Sequence, residues 1–271
     1  FMTGPNNVAS QYESYREFGT NSLNRNMNVV VVDVDQLYDQ FGYGVPKSGL
    51  ALRNFARFML EQWNTRPRYL LLLGNSVRTV SRSRTADGSN LKGYRSDPQF
   101  YPQNLVPSVG YPMSDNLISA ELFGTEMVPQ IRTGRISALS PSQAQWYLNK
   151  LQEFENQPPA LWMKNFMHFG GGTNNIEQQA FASFLDNYAA LAADSSFGAD
   201  VHTFLKTTDL PIEINVSEEI NQLIEMEGVS MMTFFAHAGG SAGFDQSIDD
   251  PNNFNWNGKY PFLLGNGCYT A

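Results

Sequence analysis

Residues 229–240, VSMMTFFAHAGG, and residues 260–268, YPFLLGNGC, carry the two segments on which the architecture of this chain turns. Each contains a largely apolar run of strand length without polar alternation, the pattern of a strand buried on both faces, as in a parallel sheet. Each run then stops at a chemically active side chain. The first passes through Ala236 to His237-Ala-Gly-Gly, and the second through Gly265-Asn-Gly to Cys268. A parallel sheet presents the carboxyl ends of its strands at one edge, so neighbouring strands of this kind set an imidazole beside a thiol. That is the pairing of a nucleophile with its base.

Across the rest of the chain the same strand pattern recurs, giving Asn28 to Val34, Tyr69 to Leu73, Ile131 to Ile136, Asn165 to Phe169, Asp200 to Leu205, Val229 to Phe235 and Tyr260 to Leu264. Phe1 to Thr3 reads as the remnant of an earlier strand. Helical spacing separates these runs. Leu52, Phe55, Ala56, Met59 and Trp63 form one stripe, with Ser48 as its cap. Ser140 and Gln143 fit a capping box around Pro141, ahead of Ala144, Leu148, Leu151 and Phe154. Ile176 to Ala193 and Ser217 to Met226 read as further helices. The class is therefore α/β, with a doubly wound, mostly parallel sheet. The tandem prolines of Gln157-Pro-Pro-Ala160 cannot continue the helix before them, so they divide an N-terminal subdomain, 1–158, from a catalytic one, 159–271. Ser76 to Val109 lacks periodicity and carries Arg78, Arg82, Arg84, Lys92 and Arg95, so it reads as a surface insertion.

Composition narrows the function. A chain of 271 residues buries a sizeable core, and a formal charge of −8 argues against a general nucleic-acid-binding role. Its single cysteine excludes an intrachain disulfide and a thiolate zinc cluster. Cys268 is thus either a small buried hydrophobe or a reactive thiol. No apolar run reaches the roughly 18 residues of a bilayer span. No leader pattern opens the chain, which reads as an excised part that stops three residues after Cys268.

A lone cysteine in an apolar stretch is usually filler, and a lone histidine at a strand end is usually structural. Three details favour chemistry. Small residues after His237 admit a substrate close to the backbone; a turn delivers Cys268 to the sheet edge; and both features sit on neighbouring predicted strands.

The run GVSMMTFFAHAGGSAGFDQSIDDPNNFNWNGKYPFLLGNGCYTA, residues 228–271, resembles the catalytic segment of gingipain-like cysteine peptidases, peptidase family C25. In that family a histidine after an apolar strand precedes the nucleophilic cysteine by just over 30 residues; here the separation is 31. RYLLLLGNS, YPMSDNL, IRTGRISALSPSQAQWYLNKLQEFE and WMKNFMHFGGG are similar to other family segments and occur in the family's order. The GKYPF and NGC stretches are closest to the sortase-like members associated with the type IX secretion system of Bacteroidetes. The resemblance implies a caspase-like fold of two side-by-side subdomains, here C-terminally incomplete. It implies Cys268 as the attacking thiolate, His237 as general base and then acid, and the backbone N–H groups of Ala238 and Cys268 as the oxyanion hole.

Two departures stand out. Ala238 replaces the usual glycine. The stretch after the fourth strand, His168-Phe-Gly-Gly-Gly-Thr-Asn-Asn, lacks the acid that some members use to orient the histidine. Glu177 is the nearest carboxylate and is not given that role; with Gly239, Gly240 and His168 it counts as a pocket candidate. No cofactor is required. Asp245, Asp249 and Asp250 supply hard oxygens for a structural calcium, although an Asx-rich turn before Pro251 explains them better. The implied function is an exported cysteine endopeptidase or transpeptidase, periplasmic, surface-bound or extracellular, acting on protein or peptide substrates beside other secretion components. The alternative, which Ala238 and the missing acid favour slightly, is a catalytically weak or inactive peptidase-fold module serving as a binding or scaffold component of the secretion machinery. If the pocket wall lies beyond Ala271, this chain alone turns over poorly.

Overall fold

The computed structural model describes residues 7–18, 27–77, 80–81, 92–93, 98–110, 113–124, 126–239 and 243–268. Phe1 to Thr3, Gly240 and the cations Arg78, Arg82, Arg84 and Arg95 lie outside them. The chain divides into two compact units, 1–151 and 152–271.

The first unit begins with α1 (Val8–Phe18), α2 (Val34–Phe41) and α3 (Gly49–Gln62). It continues with β1 (Tyr69–Leu73), two short antiparallel strands, β2 (Val80–Ser81) and β3 (Lys92–Gly93), and β4 (Arg132–Ile136). The helix α4 (Pro141–Glu155) follows, with the boundary between the units inside it. β1 and β4 pair in parallel, Tyr69 opposite Arg132 through Leu73 opposite Ile136. The predicted stripe of α3 buries Leu52, Ala56 and Met59 against Leu72 and Ile131. Burial of this kind, at roughly 25 cal/mol per Å² of apolar surface, is what holds such a helix to its sheet.

Three local expectations change. Ser48 precedes α3 but makes no side-chain cap. The Ser140 hydroxyl does accept the Gln143 N–H, whereas the Gln143 side chain reaches back to the N–H of Leu139 instead of Ser140. Asn28 to Val34 carries no sheet pairing among the described residues, and its last residue starts α2. Val30 and Val31 are exposed while Val32 and Val34 pack on the core. β-branched side chains favour extended backbone, but a strand also needs a neighbour with free ladder groups.

The SDNL and IRTGRI segments prove to be two halves of one structure. Arg135 on β4 bonds both Asp115 oxygens at 2.7 Å and donates to the carbonyls of Gly74 and Val106. Burial alone would raise the Asp115 carboxyl, but the Arg135 hydrogen bonds and charge outweigh it and the net shift is downward.

The second unit holds β5 (Asn165–Gly170), α5 (Asn175–Ala192), β6 (Asp200–Leu205), β7 (Glu213–Asn215), α6 (Glu218–Asn221) continued by a π-helical turn, β8 (Met231–Phe235), β9 (Gln246–Ile248) and β10 (Phe262–Asn266). Its main sheet runs β10-β8-β5-β6, with every pair parallel. The predicted last strand is displaced two residues toward the carboxyl terminus, because Phe262 rather than Tyr260 begins the ladder.

Alternation along the strands sends the two side-chain sets to opposite faces. Met167, Phe169, Met232 and Phe234 meet Ile220, Leu223 and Ile224 of the α6 segment. On the other face Phe181, Phe184 and Tyr188 of α5 pack on Phe235. The unit is therefore doubly wound. Lys259 of the GKYPF stretch donates to the carbonyls of Met226 and Glu227, capping the end of the π turn where a cation is favoured.

Candidate functional site

The strand order of the second unit reverses between β5 and β8: the chain leaves β5 toward β6 and later returns to the other side of β5. Open parallel sheets bind ligands outside the carboxyl ends of their strands at such a switch point. The residues following β5 and β8 meet there.

Ala236 and His237 extend β8. Asn266 of β10 lies opposite Phe235, so each strand, continued by two residues, reaches Cys268 and His237. Two features keep these continuations side by side. Ala236 N–H donates to Asn266 C=O at 3.2 Å. Gly267 lies so close that a Cβ on it would sit 2.8 Å from Ala236 O and 3.1 Å from Ala238 Cβ. The structure thus brings the expected thiol and imidazole to one end of one sheet. The Cys268 thiol is free and exposed.

His237 is held by α5 on two sides. Its Nε2 stands 3.1 Å from Glu177 Oε2, and its ring packs 5.5 Å from Phe181, one helical turn further along. The same Glu177 oxygen accepts the Thr173 N–H at 2.9 Å and the Thr173 hydroxyl at 2.6 Å. These Thr173 bonds, then the His237 bond, pull the Glu177 carboxyl down to about 2. An ionised Glu177 accepts a hydrogen bond from Nε2–H, which leaves Nδ1 as the basic nitrogen.

Glu177, counted from the sequence only as a pocket candidate, hydrogen-bonds His237, so a carboxylate absent from the glycine stretch comes from the helix after it. Asn174 caps α5 by accepting from Ile176 and Glu177 N–H, which points the first turn of the helix at His237. The signal was in the sequence, since Glu177, Phe181 and Tyr188 share one helical face. No sequence rule said which strand end that face would meet.

The remaining candidates separate. Ala238 and Phe244 form an antiparallel bridge flanked by Asp245 N–H to His237 C=O at 2.7 Å and Gly239 N–H to Gly243 C=O at 3.1 Å. In such a non-hydrogen-bonded pair the Ala238 N–H points out of the ladder. Gly239 is exposed, with nothing within 4 Å of where a Cβ would stand. His168 is not at the site. It is 2 % exposed beneath α5, and burial holds its pKa below the ordinary value. Asp245 is also buried, paired with Lys206 at 3.3 Å. Asp249 accepts from Asp250 N–H and the Asn253 amide, and Asp250 caps the short helix at Pro251, as in an Asx-rich turn. Among the described residues no group of three or more His, Cys, Asp or Glu side chains is placed to hold a metal ion. Nor is any described helix long and apolar enough to cross a membrane.

The family model described as peptidase family C25 matches residues 2–271. No curated protein and no solved structure matches.

Proposed function

The chain belongs to peptidase family C25 and is a cysteine peptidase, and on that basis we propose that Cys268, His237 and Glu177 cleave exported proteins through an acyl-enzyme. The observation that carries this reading is the β10–β8 register, which runs Cys268 and His237 out at one sheet end, with His237 bonded to Glu177.

In the first step His237 Nδ1 takes the thiol proton, and the sulfur attacks the scissile carbonyl carbon. The developing oxyanion is met by the N–H groups of Ala238 and Cys268, each such donor contributing about 3 kcal/mol in comparable sites. Collapse breaks the C–N bond, and His237 returns its proton to the departing amine. Water or a second amine then resolves the thioester, giving hydrolysis or transpeptidation. Glu177 keeps the imidazole oriented and stabilises its protonated form.

Two features of the sequence favour the weak or inactive module: the alanine after His237 and the missing acid. Glu177 answers the second. For the first, Ala238 is not among the non-glycine residues with positive φ, so alanine costs no backbone strain there.

The test is labelling with an electrophilic peptide probe. Wild type labels, whereas Cys268→Ala and His237→Ala do not. If Cys268→Ala labels as well as wild type, the enzyme reading is wrong; if His237→Ala does, the base is misassigned. Adding an amine acceptor distinguishes the sortase-like outcome, since ligated product forms only when the acyl-enzyme is captured by the amine. The proposed setting is outside the cytoplasm, beside secretion components. Recovery of the protein in the cytosolic fraction would contradict it.

A further inference from the structure

Beneath the His237 turn lies a buried ion pair that the acyl-transfer chemistry does not use. Lys206 and Asp245 approach at 3.3 Å, with side-chain exposures of 0 % and 7 %. Lys206 follows β6, and Asp245 follows the hairpin that returns from His237.

We propose that Asp245, anchored by Lys206, is a positioning residue for the His237–Glu177 pair. This rests on the acyl-transfer reading above.

Asp245 touches the foundations of both partners. Its N–H donates to His237 C=O at 2.7 Å, and its Oδ2 accepts the Gly172 N–H at 3.0 Å. Gly172 immediately precedes Thr173, whose N–H and hydroxyl hold Glu177. One side chain thus joins the backbone that carries the base to the turn that carries its acid. The anchorage continues on two sides. Lys206 N–H donates to Gly170 C=O at 2.8 Å, and Glu213 N–H donates to Asp245 C=O at 2.9 Å. The ends of β5, β6 and β8 and the start of β7 therefore converge on Asp245. The charged group facing it is Lys206; Glu213 reaches Asp245 through its backbone N–H, while its carboxylate accepts from Thr207 and Thr208.

The glycines fit this role. A Cβ at Gly171 would lie 2.0 Å from Asp245 Oδ1, so the carboxylate occupies the space that glycine leaves. Oδ1 itself has no hydrogen-bond partner among the described residues. Buried ion pairs contribute no more to stability than apolar packing of the same volume, and their best-attested use is to select one arrangement among several. Here the arrangement selected is the spacing of His237 and Glu177.

The single cysteine makes the test direct, because iodoacetamide alkylation reports Cys268 alone. Alkylation rate is measured against pH for wild type, His237→Ala, Asp245→Asn, Lys206→Met and the Asp245→Asn/Lys206→Met double variant, each checked for folding by circular dichroism. In wild type the imidazole sustains alkylation on the acid side, and His237→Ala loses it. The Asp245 and Lys206 variants are expected to shift toward the His237→Ala profile, with acid-side rates about 10- to 100-fold below wild type, the scale of a misplaced catalytic group. The double variant leaves no lone buried charge, so it decides the matter if a single variant fails to fold. A folded double variant with the wild-type profile overturns the positioning role. Wild type indistinguishable from His237→Ala overturns the thiol–imidazole reading itself, and the inference falls with it.

Discussion

Two glycines near the ends of β5 and β8 should respond very differently to one added methyl group. At Gly171 the new Cβ would stand 2.0 Å from Asp245 Oδ1 and 2.8 Å from Ala236 Cβ. Real Cβ atoms do not tolerate the first distance, so either the strand end or the carboxylate must move. If Asp245 moves, it loses the Gly172 N–H and its approach to Lys206, leaving two buried charges badly paired. Removing one partner of a buried pair costs about 3–5 kcal/mol, and overpacking costs about 1–3 kcal/mol. Displacement with both charges still present falls between, at about 3 kcal/mol. At Gly239 nothing lies within 4 Å of the corresponding position, so alanine should change stability by less than about 0.5 kcal/mol. The assay is urea unfolding read through hydrogen exchange of peptides covering β5 and β8, which report on the 152–271 unit. With a urea slope of about 1.5 kcal/mol per molar for a unit of this size, a loss of about 3 kcal/mol lowers the midpoint by about 2 M. Equal midpoints for Gly171→Ala and wild type would refute the close packing of Asp245 against the glycine turn.

Other outcomes follow from the same contacts. Glu177→Gln should lower kcat/KM by about 10- to 100-fold, mainly through kcat, because the neutral amide weakens the bonds that the carboxylate oxygen accepts and removes the charge that stabilises protonated His237. The Glu177 carboxyl lies below its unfolded value of 4.5, so its contribution is complete above that value and is lost only as pH falls through about 2. The rate gap between wild type and Glu177→Gln should therefore persist at about pH 4, and a gap that closes there contradicts the Thr173 and His237 bonds. His168 has the opposite sign of charge. Its folded pKa is depressed by burial, so the unfolded chain binds the extra proton, and stability is complete above 6.5 and declines as pH falls. His168→Leu should flatten that decline in thermal melts between about pH 7 and pH 5; an unchanged slope would mean another group is responsible. In the first unit, Arg135→Lys keeps the charge but loses the fork to Asp115 and at least one of the carbonyl bonds at Gly74 and Val106. It should destabilise that unit by about 2–3 kcal/mol in urea unfolding, and a variant within about 0.5 kcal/mol of wild type would show those bonds to be weak.

Local pattern was enough to establish the class, the strands around the site and the two residues at their ends. Largely apolar runs without alternation can rest only where both faces are covered, so 229–235 and 260–264 read as parallel strands before any partner is known. His237 and Cys268 follow because strand direction is local and a parallel sheet collects carboxyl ends. Pairing is not local. The valines before α2 have strand composition but no ladder partner among the described residues, so composition misread them. The acid of the site was hidden for the same reason: Glu177 lies on an ordinary helical face, 60 residues from the histidine it bonds, and only the order β10-β8-β5-β6 brings that face to His237. Asp245 looked like one oxygen donor among several until the hairpin after His237 turned it inward onto Lys206. These roles belong to the tertiary structure because a carboxylate carries no function of its own. Its neighbours make it the partner that orients a base, a buried anchor or a turn cap.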